Sequence, residues 1–372
     1  MKLKRLKLAF MAAALTLTTM LTACGNKAAN SKPAQESTGG VSTVTSEDTT
    51  GETKVDDTAA KDTTTETAVT YPITIKHALG DTIIESQPER VVTISWGNQD
   101  VPLALGVVPA GVSKANFGAT DENGLLPWTA AKYKELGVEN PVVFDDTDGL
   151  NFEAISDANP DVILAAYSGI TQEDYDLLSQ IAPVVAYPEY AWQTYWREQT
   201  LFDAMGMGKE AEAKTLIAET ESLIDSKIKE YENLQGKTAA FFYFNASDLG
   251  KFYIYLPTDP RGSYLNDLGL SFPDSVKQLA GDPSAFTVTI SSENVDVLND
   301  IDIIITYGDD SVLKVLQSDT LVGQIPAIKN GSVVMMDSTT ALTASCTPSV
   351  LSIPATIDEY LALLNEAAEK VK

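Results

Sequence analysis

The sequence predicts an α/β protein of two lobes joined by one long helix, on three observations. Short, β-branched apolar runs alternate with helical patterns, as expected of strands buried on both faces. The runs form two groups, "RVVTIS", "DVILAAY" and "PVVAY" early, then "AAFFYF", "DIDIIITY" and "SVVMMD" late. Between the groups lies "GKEAEAKTLIAETESLIDSKIKEYENL", where Leu216, Leu223, Ile224, Ile228 and Tyr231 recur at helical spacing. A chain of 372 residues is also long enough for two packed lobes.

The N-terminus carries Lys2, Lys4, Arg5 and Lys7 ahead of an apolar run from Leu8 to Leu21. That run is too short for a comfortable membrane span and ends in small residues, so residues 1–23 read as an export signal. Its end, "LTAC", resembles the lipobox of bacterial lipoproteins, in which the signal is cut before the cysteine and the thiol is lipidated. Cys24 is then the lipidation site, with an ordinary secretory leader and a free thiol as the alternative. Cys346 is the other cysteine; no disulfide framework is available, and it reads as a small buried apolar residue.

Residues 24–70 are rich in Thr, Ser, Ala, Asp, Glu and Lys with almost no large apolar residue, which predicts a disordered tether behind the lipidated cysteine. From residue 71 to 205 the pattern is that of the first lobe, opening on "ITIKHALGDTIIES", a β-hairpin around a Gly-Asp pair. The interlobe helix is expected within 206–235, about six to seven turns at ~3.6 residues each, with Glu210–Lys214 and Asp225–Lys229 as i,i+4 pairs and Gly236 ending it. The second lobe fills 236–372, and no internal repeat is visible.

A formal charge of −26 without a basic stripe argues against nucleic acid and against lying on an anionic membrane. Catalytic signatures are scarce. His77, the one histidine, falls in the first hairpin, and no nucleophile elbow, phosphate loop or zinc-type cluster occurs. The carboxylate pairs in "FDDTD" and "GDD" read as solvated loops; a glycosidase-like pair, making the protein a surface hydrolase, is the enzyme alternative.

Binding signals are stronger. The apolar runs lead into Trp96, Tyr167, Tyr187 and Tyr190 in the first lobe and carry Tyr243 and Tyr307 in the second. Ligands of open α/β sheets sit outside the carboxyl ends of the strands, so both lobes are expected to present aromatics to a shared cleft. The stretch "YPEYAWQTYWREQ" adds Trp192 and Trp196 beside Arg197. Beyond the leader the arginines are Arg90, Arg197 and Arg261, and lysine supplies the remaining positive charge. An arginine beside aromatics suits bidentate recognition of oxygen, so Arg197 and Arg261 are ligand candidates, with surface ion pairs as the competing reading. Arg90, at a strand entrance, reads as structural.

From Ile73 to about Ala368 the chain resembles the iron-siderophore substrate-binding lipoproteins of bacterial ABC importers. The resemblance is carried by "PERVVTI…LALGVVPAGV", "GLNFEAISDANPDVILA", "PRGSYLNDLGL" and "ISSENVDVLNDIDIIIT", in that order. It implies a class III periplasmic-binding-protein-like fold with the ligand cleft between the lobes, and a monomer with no enzymatic activity and no resident cofactor. It implies a ferric siderophore as ligand, held by Trp96, Trp128, Tyr167, Trp192, Trp196, Arg197, Tyr243, Arg261 and Tyr307. It also implies docking on an ABC transporter permease dimer through Glu153 and Glu293, and a place on the extracytoplasmic face of the cell membrane through lipid on Cys24. Related branches bind haem or cobalamin, which remain alternatives within the same importer class. Catecholate, hydroxamate and mixed siderophores are not separated by these residues.

Overall fold

The computed structural model describes residues 69–372. The export signal, Cys24 and the tether as far as residue 68 lie outside them.

The chain opens on an antiparallel hairpin, β1 (Ile73–His77) and β2 (Gly80–Ile84). Because His77 pairs with Gly80, the turn is Ala78–Leu79, and the Gly-Asp pair belongs to β2. Strand β3 (Val91–Thr93), helix α1 (Asp100–Ala104), β4 (Gly111–Ser113), α2 (Pro127–Glu135) and β5 (Val143–Phe144) follow. Next come α3 (Phe152–Asp157), β6 (Val162–Leu164), α4 (Gln172–Leu178), β7 (Val184–Val185) and α5 (Trp196–Gly206). The five strands β3–β7 form one wholly parallel sheet ordered β5-β4-β3-β6-β7. After β5 the chain returns to the far side of β3, so the order reverses between β3 and β6. Such a reversal opens a crevice at the carboxyl ends of those two strands.

Helix α6 (Glu210–Ile228) leads into the second sheet. There β8 (Ala239–Tyr243), β9 (Lys251–Tyr255), α7 (Pro260–Asp267), α8 (Asp274–Leu279) and β10 (Thr287–Ser291) are followed by β11 (Ile303–Tyr307). Helices α9 (Asp310–Ser318) and α10 (Pro326–Asn330), strand β12 (Val333–Met336), α11 (Ala341–Ser345) and α12 (Ser352–Ala368) complete the chain. The order is β10-β9-β8-β11-β12, parallel from β8 to β12 and antiparallel at β9 and β10. Here the reversal falls between β8 and β11, which end in Tyr243 and Tyr307.

Alternation along each strand assigns side chains to layers. Val91, Leu164 and Val185 of the first sheet and Phe241, Ile303 and Ile305 of the second share one buried core with α12. Val92, Ile163 and Val184 face a separate first-lobe core, and Phe242, Ile254 and Ile304 a second-lobe one. Ala213 and Ile224 place α6 in the shared core, where it packs against α5 and α12.

Helix α6 is shorter than its periodicity predicts, 19 residues or about five turns. Tyr231 leaves helical geometry (φ −123°, ψ 59°), and a 3₁₀ turn over Glu232–Leu234 drops Leu234 into the shared core. The Glu210–Lys214 pair forms at 2.6 Å. Lys229 is the cap residue rather than part of a continuing turn, and Lys227 instead reaches Asp358 of α12 at 2.7 Å.

Candidate ligand-binding cleft

A cleft of about 900 Å³ lies between the two sheets, at the carboxyl ends of the strands. Its first wall is set by unusual backbone. Ser95 leaves β3 in the left-handed region (φ 66°) and turns the chain so that Trp96 lines the cleft. The Ser95 N–H donates to Ser113 Oγ at 2.9 Å, and Gln199 of α5 donates from Nε2 to the Trp96 carbonyl at 3.0 Å. Asn98 ties the ends of β3 and β6 together, donating to the Ile94 and Tyr167 carbonyls and accepting from the Tyr167 N–H. Tyr167 meets Trp192 edge to face, ring centroids 5.3 Å apart. Trp192 also has a left-handed backbone (φ 62°), costly for a bulky residue and held here by its N–H donating to the Ser168 carbonyl at 3.0 Å.

The second wall is built on α7. Asp259 is buried at its N-terminus and accepts from the Arg261 N–H at 2.9 Å. The same carboxylate takes two side-chain bonds from Arg261, Nε at 2.8 Å and Nη2 at 2.6 Å. Nη1 points to the Tyr307 hydroxyl at 3.4 Å, and the guanidinium lies 4.0 Å from the centre of the Tyr255 ring. Burial alone would lower the Arg261 pKa, but the facing Asp259 charge holds it well above its ordinary value. Burial raises the phenols of Tyr167 and Tyr307, which stay neutral donors. Tyr307 also meets Phe117 of the first lobe edge to face at 5.4 Å.

Six of the nine ligand candidates therefore meet in the cleft: Trp96, Tyr167, Trp192, Tyr243, Arg261 and Tyr307. Three do not line it. Trp128 is buried in α2, its indole N–H donating to Asp100 at 2.9 Å. Trp196 is 2% exposed and donates to Asp267 at 2.8 Å. Arg197 is committed to Glu221 at 2.6 Å and Asp267 at 2.8 Å. The aromatic-arginine stretch thus splits at its middle: Trp192 faces the cleft, whereas Trp196 and Arg197 face α6 and α7, because α5 begins at Trp196 and turns them away.

Residues that sequence reasoning missed include Lys114, Phe117, Asp146 and Tyr255. Lys114 and Phe117 follow β4, whose "GVS" is too short and glycine-bearing to read as a strand by pattern. Gly111 is required there, since a Cβ would strike the Phe144 ring. Asp146, expected in a solvated loop, is instead half-buried in the cleft and accepts from Ser113 Oγ. Burial, with the neighbouring Asp145 charge, raises its pKa.

Glu153 and Glu293 are exposed near the starts of α3 and of a 3₁₀ segment, Ser292–Leu298. Ser291 caps that segment, accepting from the Glu293 N–H at 3.4 Å, while Ser292 turns inward to the Gly250 carbonyl. His77 is buried in the hairpin, bonded to Thr82 at 2.9 Å, and does not line the cleft. Cys346 is buried, with burial pushing its thiol up to about 12. Among the described residues no group of three or more His, Cys, Asp or Glu could hold a metal ion, and no helix is long and apolar enough to cross a membrane.

The periplasmic binding protein family matches residues 91–340. The chain is 51% identical to PiaA of Streptococcus pneumoniae TIGR4, solved in complex with ferrichrome, with a TM-score of 0.78 over 81% of this chain and 100% of that one. It is 29% identical over 213 residues to the "Probable siderophore-binding lipoprotein YfiY" of Bacillus subtilis strain 168, covering 55% of this chain and 59% of that protein. It is 23% identical over 207 residues to the iron(3+)-hydroxamate-binding protein YxeB of the same strain, covering 55% and 58%. The chain thus spans about three fifths of the length of these two curated relatives.

Proposed function

We propose, since this chain belongs to the periplasmic binding protein family, that it captures a ferric siderophore in the cleft and delivers it to an ABC importer for iron uptake. The ligand class we assign is the ferric hydroxamate. The observation that carries this choice is the cleft's charge balance. The charged side chains lining it are Lys114, Arg261, Asp146 and Asp174. Each cation already has a carboxylate partner, Asp145 at 3.4 Å from Lys114 and Asp259 at 2.6 Å from Arg261. No surplus of positive charge is left to offset an anionic ligand. Three hydroxamates neutralise Fe³⁺ and give an uncharged chelate, whereas three catecholates leave a trianion. The ferrichrome complex of PiaA, a relative at 51% identity, supports the same choice.

In this reading Trp96, Tyr167, Trp192, Tyr243 and Tyr307 provide flat apolar contact, and Arg261 Nη1 donates to an iron-bound oxygen. The chelator supplies all the iron's donor atoms, and the protein transforms nothing. Cys24 carries the lipid that holds the monomer at the extracytoplasmic face of the membrane. Glu153 and Glu293, one on each lobe, meet the two permease subunits.

Thermal unfolding with ferrichrome, haem and cobalamin tests the assignment. At ~100 times its dissociation constant the true ligand stabilises the fold by roughly 2.7 kcal/mol. Ferrichrome should raise the melting temperature while haem and cobalamin leave it unchanged; the opposite pattern would reassign the cleft.

A further inference from the structure

Trp196 and Arg197 do not line the cleft, yet with Tyr195 they make a polar seam between the lobes. At the start of α5, in the first lobe, the Tyr195 hydroxyl donates to the Pro257 carbonyl of the second lobe at 3.1 Å. The Trp196 indole N–H donates to Asp267, the last residue of α7, at 2.8 Å. Arg197 Nη1 donates to both oxygens of the same carboxylate, at 3.0 and 2.8 Å, and Nε donates to Glu221 of α6 at 2.6 Å. The guanidinium also lies 4.3 Å from the centre of the Trp196 ring.

An isolated exposed ion pair contributes little. This one differs: the Asp267 side chain is only 17% exposed, accepts from two residues at once, and meets an indole buried in the shared core. The cluster therefore joins α5, α6 and α7 at one point. Two of these helices support the cleft walls, since Gln199 of α5 holds the Trp96 carbonyl and α7 begins with the Asp259–Arg261 pair.

We propose that Tyr195, Trp196, Arg197 and Asp267 form an interlobe clasp that fixes the separation of the two cleft walls. They are positioning residues, and they act on affinity without touching the ligand. With the clasp intact the walls are held at the spacing the chelate needs. Without it the lobes sample wider separations, and affinity falls with the population of the competent spacing. The effect on affinity rests on the ferric hydroxamate reading; the effect on lobe spacing does not.

The test is pulsed electron resonance between nitroxides at Lys134→Cys and Lys314→Cys, exposed positions on opposite lobes, in the full chain carrying Cys24→Ser. Cys346 is fully buried and leaves the labels unique. The unaltered clasp should give one narrow distance distribution. Arg197→Met and Asp267→Asn should broaden it and weaken ferrichrome binding roughly tenfold, as expected if the competent spacing falls to about a tenth of the population. Lys227→Met, which breaks the α6–α12 pair instead, should change neither. Tyr195→Phe deletes only the bond to Pro257 and should broaden the distribution partially, which covers the case of an Arg197 variant that does not fold. Unchanged distributions in Asp267→Asn and Tyr195→Phe, or weakened binding without broadening, would overturn the clasp. Absence of ferrichrome binding by the unaltered protein would overturn the ligand reading alone, with the distance distributions still deciding the clasp.

Discussion

The indole of Trp192 lies against the bare backbone of Gly169, in the space a side chain at that position would need. A Cβ there would collide with Nε1, Cε2 and Cζ2 of the ring. Gly169 has no left-handed backbone to protect, so a substitution acts through this contact alone. Gly169→Ala should displace Trp192 and weaken ligand binding about tenfold, or ~1.4 kcal/mol. Gly281→Ala, where a Cβ meets nothing within 4 Å, is the matched control and should bind normally. Fluorescence titration of both variants decides it.

Arg261 and Asp259 are each other's compensation, and the two possible truncations differ. Arg261→Ala strands a buried carboxylate and should cost on the order of 3–5 kcal/mol in stability. Replacing both residues by Ala should recover part of that loss while leaving ligand binding impaired. Arg261→Lys keeps the charge but not the fork, and should weaken binding with a smaller loss of stability. Denaturant unfolding alongside ligand titration separates these outcomes.

Buried carboxyls should make the fold more stable in mild acid. Burial raises Asp100 from its ordinary 3.8 to about 6, despite bonds from Ser349, Thr129, Trp128 and Gln99. Burial also holds Asp203, on α5, well above the usual carboxylate range. The folded state therefore binds these protons more tightly than the unfolded chain does. The contribution is full below the unfolded value and is lost as pH rises through the folded one. For Asp100 that is about 3 kcal/mol across roughly pH 4 to 6, at ~1.36 kcal/mol per pH unit. Melting temperature should fall between pH 5 and pH 7.5, by less in Asp203→Asn, an uncharged isostere. A flat profile, or one unaltered by that change, would count against these assignments.

Glu153 and Glu293 have an adequate local role, since an acidic residue in a first helical turn is favoured by about 0.3–1 kcal/mol. Docking asks more of them. Glu153→Arg combined with Glu293→Arg should abolish iron uptake while ligand affinity and melting temperature stay nearly unchanged. Normal uptake by the double variant would leave both as helix-end residues.

Much of the fold was legible because buried parallel strands write themselves as apolar runs; "RVVTIS", "DVILAAY" and "DIDIIITY" each mark a strand. Strands β4 and β5 were not legible as patterns, being three and two residues long. The cleft was legible where aromatics end those runs, as with Trp96, Tyr167, Tyr243 and Tyr307. Arg197 was misread for a physical reason. A guanidinium beside aromatics suits a ligand's oxygens and a partner helix's carboxylate equally, and only the fold shows that Asp267 and Glu221 stand within reach. Asp146 was misread conversely, since burial in a short loop leaves no trace in its neighbours' identities.

A competition titration decides whether the cleft takes an uncharged ferric chelate. Tryptophan fluorescence should report saturable, one-to-one quenching by ferrichrome, because Trp96 and Trp192 line the cleft. A ferric tris-catecholate should fail to displace it at equal concentration, and should begin to compete in Asp146→Lys, which shifts the cleft by two positive charges. Binding of the catecholate to the unaltered protein as tightly as ferrichrome would rule out selection for an uncharged chelate.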